Sequence, residues 1–141
     1  MAAGERSVRV VPFVNNTMQP RLGDDVTQQI REQIQRDGTF RLSSRDDADI
    51  VVSGNMISYN RFELSFVRED VLTVRDFRVS MTARVTALER STGKLLVDKD
   101  VSATTLVRVG WDLTSAERQA LPLLATDLAR NITALLADGE W

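Results

Sequence analysis

Four arginine residues near the middle of the chain form a candidate binding site for an anionic group. They are Arg61, Arg68, Arg75 and Arg78, and they flank the predicted loop 67–73. The planar guanidinium fork suits phosphate and carboxylate groups. The adjoining stretch 62–66 carries aromatic and aliphatic side chains, so the arrangement is typical of a site for an amphiphile with a phosphorylated head. The alternative is a solvated sheet face on which arginines pair across strands with Asp76, Asp98 and Asp100.

A second candidate is the pair Ser91 and Lys94, which has the spacing of a nucleophilic serine and its lysine. That motif belongs at the start of a helix and works with further catalytic groups. Here both residues lie in a predicted hairpin turn, with Gly93 at the position that needs a positive φ. We therefore predict a plain turn.

Three aspartates, Asp46, Asp47 and Asp49, could suggest a metal-binding loop, but they lack the spacing and the closing glutamate of a calcium loop. A solvated entry to a strand is expected instead. The sequence contains no histidine and no cysteine, which removes serine and cysteine triads, thiolate chemistry and nearly all zinc sites. We predict no cofactor, no metal site and no enzymatic activity.

The composition places further bounds on the protein. A chain of 141 residues with 43% hydrophobic residues fits one domain, residues 1–141, with a core of its own. The net charge of −2 does not indicate binding to nucleic acid. No run of 18 apolar residues is present, so no membrane-spanning segment is expected, and the residues before Val8 are not expected to form a signal peptide.

Apolar spacing predicts two amphipathic helices. The first repeats an apolar residue every fourth position and ends at 37–38; its members are Leu22, Val26, Ile30 and Ile34. The second, within 113–141, opens with a capping-box pattern at 114–117 and stops at Gly139. Its stripe consists of Leu121, Leu124, Ala125, Leu128, Ile132, Leu135 and Leu136. Such a helix must lie on an apolar surface to be stable.

Strands are predicted between these helices and before the first. They cover 7–14, a short 40–42, 50–57 with a continuation to 66, 73–88 and 95–107, with Pro12 at an edge or strand end. The fold class is therefore α+β, a two-layer sandwich. A mixed sheet of four to five strands carries two helices on one face, in the order β-α-β-β-β-β-α. Gly54 lies inside a strand, which predicts that the first or last helix crosses over it.

One side of the last two strands is polar. It carries Arg78, Ser80, Thr82, Arg84 and Thr86 on one strand and Asp98, Asp100, Ser102 and Thr104 on the next. Because both helices are expected on the apolar face, the polar face must meet water or a partner. We predict a partner-facing surface that includes Ser80, Thr82, Arg84 and Thr104.

Several short motifs resemble those of one known family. Residues 8–17, VRVVPFVNNT, resemble an opening strand of the type V.PF.N.T, and residues 48–54, ADIVVSG, resemble the strand start ADxVLxG. Residues 92–96, TGKLL, resemble a TGKxLW hairpin, with Val97 where an aromatic residue is common. The closing helix and a terminal Trp141 fit the same pattern. Together these segments are similar to the lipopolysaccharide-assembly lipoproteins, the LptE-like family.

This resemblance implies a lipid-anchored protein on the periplasmic face of the outer membrane. Members of the family sit inside, and help to assemble, the β-barrel translocon that delivers lipopolysaccharide to the cell surface, and they bind lipopolysaccharide. The lipid-carrying cysteine and its signal are not in this sequence. The ADxVLxG motif also occurs in other periplasmic lipoproteins, including activators of peptidoglycan synthases, and this is the alternative function.

Overall fold

The middle of the chain, where apolar and polar residues alternate, forms a meander of three long strands. The two amphipathic segments form helices. The computed structural model describes residues 6–45, 47–63, 75–109 and 113–138. The elements are β1 (Ser7–Val10), β2 (Val14–Asn15), α1 (Leu22–Asp37), β3 (Arg41–Leu42), β4 (Ile50–Glu63), β5 (Arg75–Glu89), β6 (Leu95–Val109) and α2 (Leu113–Ala137). The predicted strand residues 64–66 and 73–74 lie outside the described residues, as does Gly139.

The sheet is mixed, with the strand order β3-β1-β4-β5-β6 and with β2 also paired to β4. Strand β1 is parallel to both β3 and β4, whereas β4, β5 and β6 are antiparallel neighbours. The predicted α+β class and helix count are confirmed, and the strand count agrees closely. Pro12 divides the first predicted strand into β1 and β2, because proline has no N–H for the ladder.

Both helices cover the same face of the sheet and form its core. Helix α1 packs beside β1 and β3, α2 packs on β5 and β6, and the two helices contact each other. The apolar stripe of α2 is buried: Leu124, Leu128 and Ile132 are completely inaccessible. The helical segment 117–137 is long and apolar enough to span a bilayer, by length and composition alone. In this fold its apolar side chains face the core.

The opening motif fastens β1 and β2 to α1. The buried hydroxyl of Thr27 accepts a hydrogen bond from the Phe13 N–H at 2.8 Å and donates one to the Gly23 carbonyl at 2.7 Å. One guanidinium nitrogen of Arg31 donates to the Val10 carbonyl at 2.8 Å. These bonds satisfy main-chain groups that the break at Pro12 removes from the ladder.

The neighbour of Gly54 is an aromatic ring and not a helix. A Cβ on Gly54 would lie 2.6 Å from Cε2 of Phe13 and 2.7 Å from the carbonyl oxygen of Arg84. The predicted close approach at Gly54 is therefore present, but the predicted helix crossing is wrong. The Phe13 ring fills the space because the chain turns inward after Pro12.

The aspartate of the ADxVLxG motif holds the start of β1. One carboxylate oxygen of Asp49 accepts from the Ser7 N–H at 2.9 Å and from its hydroxyl at 3.3 Å, while the Asp49 N–H donates to that hydroxyl at 2.9 Å. The main-chain bond from Ser7 is the largest cause that lowers the pKa of the Asp49 carboxyl, and Arg41 and Arg6 act in the same direction. Ala48 beside it is fully buried.

Candidate functional site

The sheet face opposite the helices is uncovered in the described structure and carries paired hydroxyl groups. Three cross-strand pairs join neighbouring side chains at oxygen–oxygen distances of 2.8–3.0 Å. The pairs are Ser53 with Thr86, Ser80 with Thr104, and Thr82 with Ser102. We call these six residues the hydroxyl ladder. Such a row presents donors and acceptors along a broad surface that a polar partner or water can meet.

Arg84 lies on the same face and is held by two carboxylates. Its Nε is 2.7 Å from Asp98, and its Nη1 is 3.2 Å from Asp100. The bond to Asp98 is the first cause that raises the pKa of Arg84, and the same contact lowers the pKa of the Asp98 carboxyl. The cross-strand pairing considered as the alternative from sequence is therefore present at Arg84.

One row of this face, near the ends of β4 at Glu63 and of β5 at Arg75, has an apolar residue on either side of a cation. Arg78 is flanked in register by Phe62 on β4 and Leu106 on β6. Phe62 is 52% exposed and Leu106 is 66% exposed, and the Arg78 side chain is also exposed. Within the described residues, no carboxylate is hydrogen-bonded to Arg78. We call these three residues the apolar–cation row.

The predicted arginine group is divided by the sheet. Arg61 is in register with Val79, whose side chain is buried under the helices, so Arg61 and Arg78 point to opposite faces. Arg75 lies in β5 opposite Val109, and Arg68 lies outside the described residues.

Arg61 is joined to helix α2. Its Nη1 lies 3.2 Å from a carboxylate oxygen of Glu117, and the hydroxyl of Tyr59 donates to the other oxygen. Burial, followed by the bond to Glu117, raises the pKa of the Tyr59 hydroxyl above its ordinary value. Glu117 therefore fastens α2 to β4. Helix α2 begins at Leu113, one residue ahead of the capping-box pattern at 114–117.

The described structure includes open clefts beside the sheet that the sequence did not predict. One, of about 440 Å³, is lined by Met18, Gln19, Tyr59, Asn60, Arg61 and Glu117. Another, of about 410 Å³, lies at the carboxyl ends of β1 and β3 and is lined by Arg9, Val10, Pro12, Arg31, Leu42, Ser43 and Ser44. Their linings come from segments far apart in sequence, so no local pattern could reveal them. The described residues contain no cluster of three or more metal-ligating side chains.

These features define a two-layer α+β domain with one face sealed by helices and one polar face open. A family model described as LptE, lipopolysaccharide-assembly, matches residues 6–136. The chain belongs to this family, as its motifs indicated, and the family places it in lipopolysaccharide assembly at the outer membrane. No curated protein sequence matches the chain at a level that defines a relative.

Solved structures with low sequence identity share the fold. A hypothetical protein from Chlamydia trachomatis superimposes with a TM-score of 0.65 at 16% identity, over 96% of each chain. A protein from Xanthomonas campestris gives a TM-score of 0.65 at 10% identity, over 96% of this chain and 87% of the other. A minor lipoprotein from Acinetobacter baumannii gives 0.53 at 17% identity, over 94% and 90%. At these identities the likeness establishes the fold alone.

Proposed function

We propose that the protein is a non-catalytic component of the lipopolysaccharide translocon. In this role it assists assembly of the outer-membrane β-barrel, plugs its lumen and contacts lipopolysaccharide. The observation that carries the proposal is the polar open face of a domain that belongs to the LptE family. The protein is lipid-anchored at the periplasmic side of the outer membrane, as family membership suggests.

The open face suits the wall of a barrel lumen better than it suits a hydrophobic interface. The interior of an outer-membrane barrel is polar and lined with water. The middle of the open face consists of hydroxyl groups and of Arg84 neutralised by Asp98 and Asp100. These groups can exchange hydrogen bonds with a polar wall, whereas their burial against an apolar surface would leave donors and acceptors unsatisfied.

Arg78 is the arginine whose surroundings best support contact with lipopolysaccharide. Arg78 is in register between two exposed apolar residues, Phe62 and Leu106. That combination matches a phosphate next to acyl chains, because a guanidinium fork binds phosphate while apolar neighbours cover hydrocarbon. Arg61 would first have to leave Glu117. We include Arg68 and Arg75 in the lipid-phosphate site because they flank the same loop in sequence.

Co-purification with the cognate barrel tests the function. A Thr82→Glu substitution places a charge in the centre of the hydroxyl ladder, and we expect the tagged protein to lose most of the co-purifying barrel because that charge would face the lumen wall unpaired. Gln35→Glu, which adds the same charge on the exposed side of α1, is the matched control and should retain it. Equal recovery with both variants, or recovery of a cell-wall synthase in place of a barrel, would contradict the proposal.

A further inference from the structure

Strand β6 forms a long outer edge of the sheet. It runs for 15 residues from Leu95 to Val109 and pairs with β5 along one side. In the described part of the chain no strand pairs with its other side. Strands in globular proteins average about five to six residues, and an unpaired edge of this length presents a row of main-chain donors and acceptors to another strand.

A side-chain contact shows which peptide groups point outward. The Asn131 amide of α2 donates to the Ser102 carbonyl at 3.0 Å, so this carbonyl points away from β5. Peptide groups alternate between the two sides along an antiparallel strand. Asp100, Thr104 and Leu106 therefore also present their N–H and C=O groups at the edge. The register shift in the β5–β6 pair lies between Ala87 and Leu88, so the edge from Asp100 to Leu106 is regular.

We propose that this edge pairs with the β6 edge of a second copy, antiparallel and around a two-fold axis at Ala103. In that register Ser102 faces Thr104 of the second copy, and both present outward peptide groups. Within one copy, Ser102 is already hydrogen-bonded to Thr82 and Thr104 to Ser80 in the hydroxyl ladder. The ladder would then continue without a break from one copy to the other.

Charge and hydrogen-bonding capacity agree with this pairing. Asp100 faces Leu106 of the second copy, so no two acidic side chains stand directly opposite each other, and Asp100 is paired with Arg84 within its own copy. The Ser102 carbonyl has two lone pairs and can accept from both Asn131 and an incoming N–H. A closed barrel wall has no free strand edge to offer, so the barrel cannot pair with this edge as a second copy can.

Sedimentation velocity over a range of concentrations tests the association. We expect the purified chain to show a reversible monomer–dimer equilibrium. Thr104→Pro removes an outward N–H while leaving the main-chain hydrogen bonds to β5 in place, and should weaken dimerisation at least about tenfold. Thr104→Ala loses the same hydroxyl but keeps the N–H, and should dimerise more tightly than Thr104→Pro. A strictly monomeric parent at its highest soluble concentration would overturn the proposal, as would a folded Thr104→Pro variant that dimerises normally.

Disulfide formation tests the register independently of the proline variant. The chain has no cysteine of its own, so Ser102→Cys and Thr104→Cys each carry one thiol. Directly opposed residues in a hydrogen-bonded antiparallel pair have Cα atoms about 5.5 Å apart, within the disulfide range of roughly 4.4–6.8 Å. A mixture of the two variants should form a covalent dimer under mild oxidation, whereas each alone should not. Absence of the mixed dimer, or equal linking of each variant to itself, would refute the two-fold pairing.

Discussion

The two faces of the sheet differ in what their side chains are used for. On the covered face, apolar residues from β4, β5 and β6 are buried beneath two helices, and Phe13, Gly54 and Thr27 fit together with little free space. On the open face, hydroxyl pairs and a neutralised arginine remain accessible. Most of the family motifs lie on the covered face, at the start of β1 and in the turn between β5 and β6, although Ser53 of the ADIVVSG segment lies on the open face. Sequence resemblance therefore reports mainly the fold, while most of the surface available to a partner carries no motif.

The contrast is tested most strongly at the centre of α2. Leu128 is fully buried, whereas Leu123 on the same helix is 67% exposed. Leu128→Ala should lower the free energy of unfolding by about 2–5 kcal/mol, since it removes buried surface and leaves a cavity. Leu123→Ala should change it by less than about 0.5 kcal/mol. Leu128→Asp should prevent folding. Chemical denaturation measures all three, and similar stabilities for the two alanine variants would contradict the packing of α2.

Gly54 tests the covered face at its tightest point. An added methyl group would meet the Phe13 ring on one side and the Arg84 carbonyl on the other. Gly54→Ala should therefore destabilise the domain by about 1–3 kcal/mol through overpacking. Adding Phe13→Leu should recover only part of this loss, because the backbone carbonyl cannot yield as a side chain can. Full recovery in the double variant would show that the ring alone sets the constraint.

Arg78 on the open face and Arg61 on the covered side should not be equivalent. Arg78→Ser should weaken binding to lipopolysaccharide by about tenfold, corresponding to loss of one charge-assisted contact, without changing the circular dichroism spectrum. Arg61→Ser should weaken it less, because Arg61 is already paired with Glu117. A pull-down with immobilised lipopolysaccharide at low and moderate salt measures both. If the Arg78→Ser variant binds lipopolysaccharide as the parent does, Arg78 is a solvated side chain that takes no part in this binding.

The smallest effect is expected at Asp49, a polar residue that serves the fold. Its folded-state pKa is lowered by the bonds from Ser7, so its contribution to stability is present above the unfolded pKa of about 3.9 and is lost as the pH falls through the folded value. Asp49→Asn should be less stable than the parent near neutral pH. The difference should shrink below about pH 4. Melting curves across this range give the test, and a difference that does not depend on pH would exclude the ionised carboxylate as its source.

The order of helices and strands could be predicted from the sequence. An apolar residue at every second position indicates a strand, and one at every fourth position indicates a helix. The sequence also identified the polar side of β5 and β6, which follows from alternation alone. It could not separate Arg61 from Arg78. Their faces depend on the register of β4 and on its irregularity between Met56 and Ser58. Nor could it find the partner of Gly54, since Phe13 is 41 positions away and enters through the bend at Pro12.

We propose that the open face of the sheet, and not the helix layer, meets the barrel. Photo-crosslinking groups placed at Thr82 and Thr104 on the hydroxyl ladder, and at Arg130 on the exposed side of α2, test this directly in cells that express the cognate barrel. We expect crosslinks to the barrel from Thr82 and Thr104 and none, or far fewer, from Arg130. Crosslinks confined to Arg130 would contradict the assignment of the open face while leaving family membership intact.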